Sequence, residues 1–185
     1  MLRTLLVSLS AALAAASASA RAADDLRWLD VAPVVGAWIP TGDGARAFSA
    51  APLVGVQAVA ELDPRFALLA TVTWVPTDAK RLASEHLDLF QYDVGFRVQH
   101  ALSFASGATL RPFLSAGGGL RTIHFRGASD GGTDFGTYAG AGLEVAYRRM
   151  TAGVTVRYDI TMMEPAELHR TYRVVETFAT AGIRF

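Results

Sequence analysis

The chain has no cysteine and only one lysine, Lys80, among its 185 residues. The missing thiol rules out both a disulfide framework and the acylated cysteine of a bacterial lipoprotein. The missing lysines leave positive charge to arginine, the better residue where a cation must be buried and paired. Basic and acidic residues balance at 17 each, and no basic stripe is present, which excludes nucleic acid as a partner. The four histidines, His86, His100, His124 and His169, are scattered and lack metal-ligand spacing. Also absent is an uninterrupted apolar run of the roughly 20 residues that a spanning helix needs. Yet 51% of the residues are hydrophobic, and that surface must be placed somewhere.

The N-terminus reads as a segment to be removed. Met1-Leu2-Arg3 gives a short positive start, Thr4 to Ala15 is rich in Leu and Ala, and Ala20-Arg21-Ala22 supplies an A-x-A site. Residues 1–22 are therefore expected to be a secretory signal peptide, with Ala18-Ser19-Ala20 as the alternative site, and 23–185 a single domain. Cleavage removes Arg3 and Arg21, so 15 basic residues face 17 acidic ones in the mature chain.

From Trp28 onward the dominant pattern is alternation. Phe90, Tyr92, Val94, Phe96 and Val98 oppose Gln91, Asp93, Gly95, Arg97 and Gln99, the cleanest instance in the chain. The same period two recurs in Trp28–Ile39, Leu53–Leu62, Arg65–Val75, Thr109–Ile123, Phe135–Tyr147, Ala152–Ile160 and Val174–Phe185. Eight segments of about ten residues match tilted membrane-crossing strands. Short turns are expected at Asp63-Pro64 and Arg148-Arg149. Longer loops are expected at Pro40–Ala50, Pro76–Ser84, Arg126–Asp134 and Met162–Arg170, with Ala101–Gly107 as the connection that fits the alternation of lengths least.

The last strand ends on Phe185 without a polar tail, and an exposed terminal strand of this kind is an aggregation hazard unless it closes a barrel by pairing with the first. Its ending Gly182-Ile183-Arg184-Phe185 resembles the C-terminal assembly signal of bacterial outer-membrane barrels, carried by Gly182, Ile183 and Phe185. With Gly36 to Asp43 and the glycine-rich Ala116 to Gly119, the whole mature chain resembles the eight-stranded outer-membrane β-barrel family that includes the OmpA-type barrel, OmpX and OmpW-like proteins. The resemblance implies an all-β, eight-stranded antiparallel up-and-down transmembrane barrel in the bacterial outer membrane, with both termini periplasmic. It also implies outer-membrane lipid and lipopolysaccharide as surroundings, barrel-assembly machinery and periplasmic chaperones as partners during biogenesis, and a monomer.

If the apolar faces meet lipid, the polar faces converge on a lumen. Glu61, Asp93, Arg97, Arg111, Arg121, Glu144, Arg157, Asp159 and Glu176 fall on them, and balanced charges in a low-dielectric interior must pair. With Tyr147 and Ala152 closing their hairpin, Arg157 is expected between Glu144 and Glu176. An eight-strand interior is just wide enough for side chains, so the charges are expected to plug it. Trp74, Tyr147, Tyr158 and Phe185 are expected at the membrane interfaces.

No catalytic constellation is present. His124 sits near the outer rim without a neighbouring serine, Ser129 lying in the loop beyond, and Gly117-Gly118-Gly119 lies within a strand, where it serves packing or curvature. No metal or cofactor site is expected. The loops carry Asp43, Lys80, Arg81, Asp130, Asp134, Glu164 and Glu167, exposed charges for which solvation is sufficient reason. The function expected is that of a small barrel with a structural or surface-interaction role and no enzymatic activity. The alternatives are a narrow channel for small solutes, hydrophobic ones included, and, behind it, a lipid A-modifying enzyme.

Overall fold

The computed structural model describes residues 28–80, 85–126, 131–163 and 170–185; the expected signal peptide lies outside them. Alternating side chains produce eight long strands: β1 (Trp28–Thr41), β2 (Ala51–Glu61), β3 (Phe66–Ala79), β4 (Glu85–Gln99), β6 (Ala108–Phe125), β7 (Gly131–Tyr147), β8 (Met150–Met163) and β9 (Arg170–Arg184). A two-residue strand, β5 (Leu102–Ser103), and a five-residue helix, α1 (Asp43–Ala47), complete the elements.

Every long strand pairs antiparallel with its sequence neighbours, β4 pairs β6, and β9 pairs β1, so the sheet closes on itself as an eight-stranded antiparallel barrel. Closure leaves no free edge. The chain end is part of the ladder: Phe185 N donates to Leu29 O at 2.9 Å and Leu29 N to Phe185 O at 3.3 Å.

The distribution of apolar residues is the reverse of a water-soluble barrel. Val35, Val56, Phe66, Val94, Phe96, Leu114, Val154 and Val156 are all exposed on the outer wall, while Arg121, Arg157, Asp159 and Glu176 are buried at 2% exposure or less. Tyr147, Phe185 and Trp28 stand exposed at strand ends, whereas Trp74 and Tyr158, also exposed, lie well inside β3 and β8 because those strands continue past the apolar band.

The strands run further at the loop end than alternation indicates. Pro76–Ala79 belongs to β3, paired through Ala79 opposite Glu85, and Gly131–Asp134 belongs to β7, paired through His124 opposite Gly131. Beyond the apolar band the outward residues turn polar, so the period-two signal fades while backbone pairing continues. The β2–β3 ladder stops at Val54 opposite Trp74, two register steps before two imino acids, Pro52 and Pro76, would face each other.

At the other end the connections are tight. Asp63 Oδ1 accepts from the backbone N–H of Arg65 at 2.6 Å and of Phe66 at 3.0 Å, fixing the β2–β3 turn. The β4–β6 connection is longer because it folds back on itself: Leu102 pairs Leu110, Ser103 pairs Thr109, and Gly107 takes φ 80°.

Candidate functional site

The interior is stratified into three levels. At the turn end, Asp30 of β1 and Arg184 of β9 face each other across the closing seam. Arg184 donates from Nε to Asp30 Oδ1 at 3.2 Å and from Nη2 to Oδ2 at 2.9 Å, a two-point pair. Its Nη2 also lies 3.7 Å from Glu144 Oε1 and 3.9 Å from Glu61 Oε2. Arg111 donates to Glu61 Oε2 at 3.3 Å, reaching from β6 across the lumen to β2. Arg97 of β4 donates to Glu144 Oε2 at 2.8 Å and lays its guanidinium 3.9 Å from the Phe113 ring centroid. Three arginines thus meet three carboxylates.

The middle level is tighter and unevenly charged. Arg121 donates to Asp93 Oδ1 at 2.7 Å and, in a shorter bond, to Asp159 Oδ2. Arg157 donates from Nε to Glu176 Oε2 at 2.7 Å, and its Nη2 lies 2.9 Å from Asp93 Oδ2. Glu176 Oε1 accepts from Gln91 Nε2 at 2.8 Å, Gln91 Oε1 accepts from Thr73 at 2.7 Å, and Asp159 Oδ1 accepts from Thr161 at 2.8 Å. Two arginines serve three carboxylates, each oxygen of which has a cation or hydrogen-bond donor beside it. That is the condition for holding ionised carboxylates out of water.

Glycine makes the space for this level. A Cβ on Gly119 would collide with Asp93, one on Gly136 with Thr161 and press on Arg121, and one on Gly95 or Gly117 with Tyr138, over whose ring Arg157 sits at 4.5 Å. Gly117 and Gly119 therefore accommodate large inward side chains from neighbouring strands, while Gly118, of opposite parity, leaves room for the outward Phe135 ring.

The loop-end level is apolar. Trp38, Phe48, Leu53, Val75, Leu87, Leu89, Ile123, Tyr172, Val174 and Phe178 form one buried cluster. Phe48, just after α1, stands edge-on to Trp38 at 5.9 Å and to Tyr172 at 5.2 Å. Its segment is fastened to β3 by Ser49 N to Asp78 O at 3.0 Å, Lys80 N to Ala47 O at 2.8 Å and Lys80 Nζ to Ala45 O at 2.9 Å. The first loop is thus folded into the barrel mouth.

All nine charged residues singled out from the sequence are buried in the interior. The partner expected for Arg157 is corrected: Glu176 is beside it, but Glu144 is not. Tyr147 pairs Met150 instead of Ala152, so Gly140, four residues from Glu144, lies opposite Arg157. Glu144 serves Arg97 instead, and Asp93 takes its place. Sequence reasoning also missed Asp30 and Arg184 as members, although both share the inward parity of their strands. The apolar plug was missed because its strand residues occupy the same parity as the charges below them and Phe48 lies outside any strand.

The three described histidines lie apart. His124 packs edge-on to Phe90 at 6.0 Å, and His86 Nδ1 lies 2.5 Å from Asp78 Oδ1. His100 donates its backbone N–H to Pro112 O at 3.1 Å, on the turn side. His169, Ser129, Arg81, Asp130, Glu164 and Glu167 lie outside the described residues. Among those described, no three histidine or acidic side chains are grouped to hold a metal. On the outer wall below Arg126, Asp88 receives Arg126 at two points, 2.7 and 2.9 Å, and Trp74 Nε1 at 2.9 Å. Gly182 lies between the Arg184 and Thr180 positions on the inward side, while Ile183 and Phe185 are exposed outward.

Comparison with solved structures finds the same architecture. Neisserial surface protein A is 16% identical with a TM-score of 0.57, over 85% of this chain and 95% of that one. The outer membrane protein OprG from Pseudomonas aeruginosa is 11% identical with a TM-score of 0.57, over the same shares. The N-terminal β-barrel domain of Pseudomonas aeruginosa OprF is 16% identical with a TM-score of 0.50, over 84% of this chain and 97% of that one. No protein-family model and no curated protein matches the sequence. The chain has the fold of the eight-stranded outer-membrane barrels.

Proposed function

We propose that the chain is a small integral outer-membrane barrel with a structural or surface-interaction role, its lumen closed by ion pairs below and an apolar plug above. The observation that carries this reading is the continuous filling of the interior, from Asp30–Arg184 through Arg157–Glu176 to Trp38–Phe48. A conduit would need water along that axis. Trp38, Phe48 and Tyr172, each 1% exposed, stand in its way. The narrow-channel alternative requires all three to move.

Membrane placement is supported by the outer wall, whose exposed side chains are apolar for the height between the aromatic ends, and by the fold shared with outer-membrane barrels. Short connections then lie in the periplasm with both termini, and the longer ones face outward among lipopolysaccharide. Export through the N-terminal signal and insertion through the Phe185 ending, by chaperones and barrel-assembly machinery, complete the reading. His124, packed on Phe90, serves the rim and no reaction.

The test is electrical. Full chain refolded into a planar bilayer is expected to stay silent while migrating differently unboiled and boiled on a detergent gel. Steady single-channel steps would overturn the plugged lumen, and absence of the gel shift would overturn the barrel.

A further inference from the structure

The β7–β8 turn holds an arrangement that neither barrel closure nor luminal pairing requires. Two-residue hairpin turns favour glycine or asparagine, because their central residues take positive φ. Here the central pair is Arg148-Arg149, and Arg148 is the one non-glycine described residue at positive φ, 55°. A Cβ-bearing side chain is thus kept where glycine or asparagine fits with less strain.

Both residues are exposed, and among the described residues neither has a carboxylate within ion-pair distance. Arg148 instead lies 5.3 Å from the Tyr147 ring centroid, which directs it along the outer wall. Above the turn is an apolar ledge built by register: Tyr147 pairs Met150, Met150 pairs Ile183, and Phe185 follows. Met150 and Phe185 are 70% and 71% exposed. Two free cations beneath exposed apolar side chains, at one end of a membrane-facing wall, match a molecule with an anionic head and hydrocarbon tails.

We propose that Arg148 and Arg149 bind the phosphate of an anionic phospholipid in the periplasmic leaflet, with its acyl chains against Met150 and Ile183. Guanidinium suits phosphate because its N–H groups reach two oxygens together. The proposal rests on the membrane placement given above, and its test separates the two.

The full chain is refolded into phosphatidylcholine vesicles that contain a minor fraction of phosphatidylglycerol. Spin-labelled versions of each lipid report how much of it is immobilised at the barrel wall. Phosphatidylglycerol is expected to be enriched over phosphatidylcholine by roughly fivefold, the contribution of one arginine near an anionic surface, or more. In Arg148→Asn/Arg149→Gln the enrichment should fall toward parity, and asparagine tolerates the left-handed turn, so the barrel still shows its gel shift. Arg65→Gln, on the β2–β3 turn, should leave the enrichment unchanged. Equal immobilisation of both lipids by inserted wild type, or equal loss in Arg65→Gln, overturns the site. Failure of wild type to insert overturns the membrane placement itself, and the site with it.

Discussion

Arg157 and Glu176 occupy directly opposed positions on β8 and β9, and the arginine's outer nitrogen continues past the glutamate to Asp93 on the far side of the barrel. One side chain thereby ties neighbouring strands to the opposite wall. Both members are essentially unexposed, so removing one leaves a charge that water cannot reach. Arg157→Ala is expected to cost about 3–5 kcal/mol of unfolding free energy. Arg157→Met/Glu176→Leu should recover most of that loss, since an apolar pair of similar volume replaces the ion pair. Urea titration of the barrel in detergent, followed by tryptophan fluorescence, gives the comparison. Additive losses in the double variant would show that the two residues act independently.

Gly117→Ala tests the cradle beneath Tyr138. An added Cβ meets the Tyr138 ring and the backbone of β4, where close packing leaves no room. The expected loss is about 1–3 kcal/mol, the usual range for forcing extra volume into a packed interior. Gly107→Ala is no control, because Gly107 is at positive φ; Ala116→Val, on the lipid side of the same strand, should be near neutral. Comparable losses at 116 and 117 would contradict a role for the inward space.

The alternation in β4 displayed its two faces openly, because Phe90 to Val98 are bulky and Gln91 to Gln99 polar. Inward and outward assignments of the charged residues followed from parity alone. Register was harder to read: a turn is legible at Arg148-Arg149, but with no glycine or asparagine there nothing local fixes its length at two residues. Placing Ala152 opposite Tyr147 shifted β8 by two residues and gave Arg157 the wrong second partner. The loop-end plug was hidden for a different reason. Trp38, Leu53 and Leu89 point the same way as Asp30, Glu61 and Asp93, and parity cannot tell an apolar level of the lumen from a charged one. Phe48 belongs to no alternating run at all; only the fold brings it between Trp38 and Tyr172.

Phe48→Ala probes that plug directly. The ring is buried and touches two other aromatic rings, so truncation should lower stability by about 3 kcal/mol, the lower end for a buried phenylalanine. Conductance should remain absent, because the two charged levels beneath stay filled. Stability is read by the same urea titration and conductance in a planar bilayer. Open-channel steps in Phe48→Ala would mean that the apolar level alone holds the lumen shut.

Deletion of Phe185 separates assembly from stability. The side chain is 71% exposed on the outer wall, and its backbone closes one pair of hydrogen bonds with Leu29. Arg184 and its two-point contact with Asp30 remain in the shortened chain. The folded barrel should therefore lose little, about 1–2 kcal/mol for the terminal pair at a net value near 1 kcal/mol per hydrogen bond. If Phe185 is read during insertion, the loss in cells is of another kind. The heat-modifiable fraction in outer-membrane extracts should fall well below that of Phe185→Tyr, while the urea midpoints of the two purified, refolded variants stay close. Equal heat-modifiable fractions would remove the assembly role and leave Phe185 as one more lipid-facing rung. A large drop in the midpoint would instead place its contribution in the closing seam.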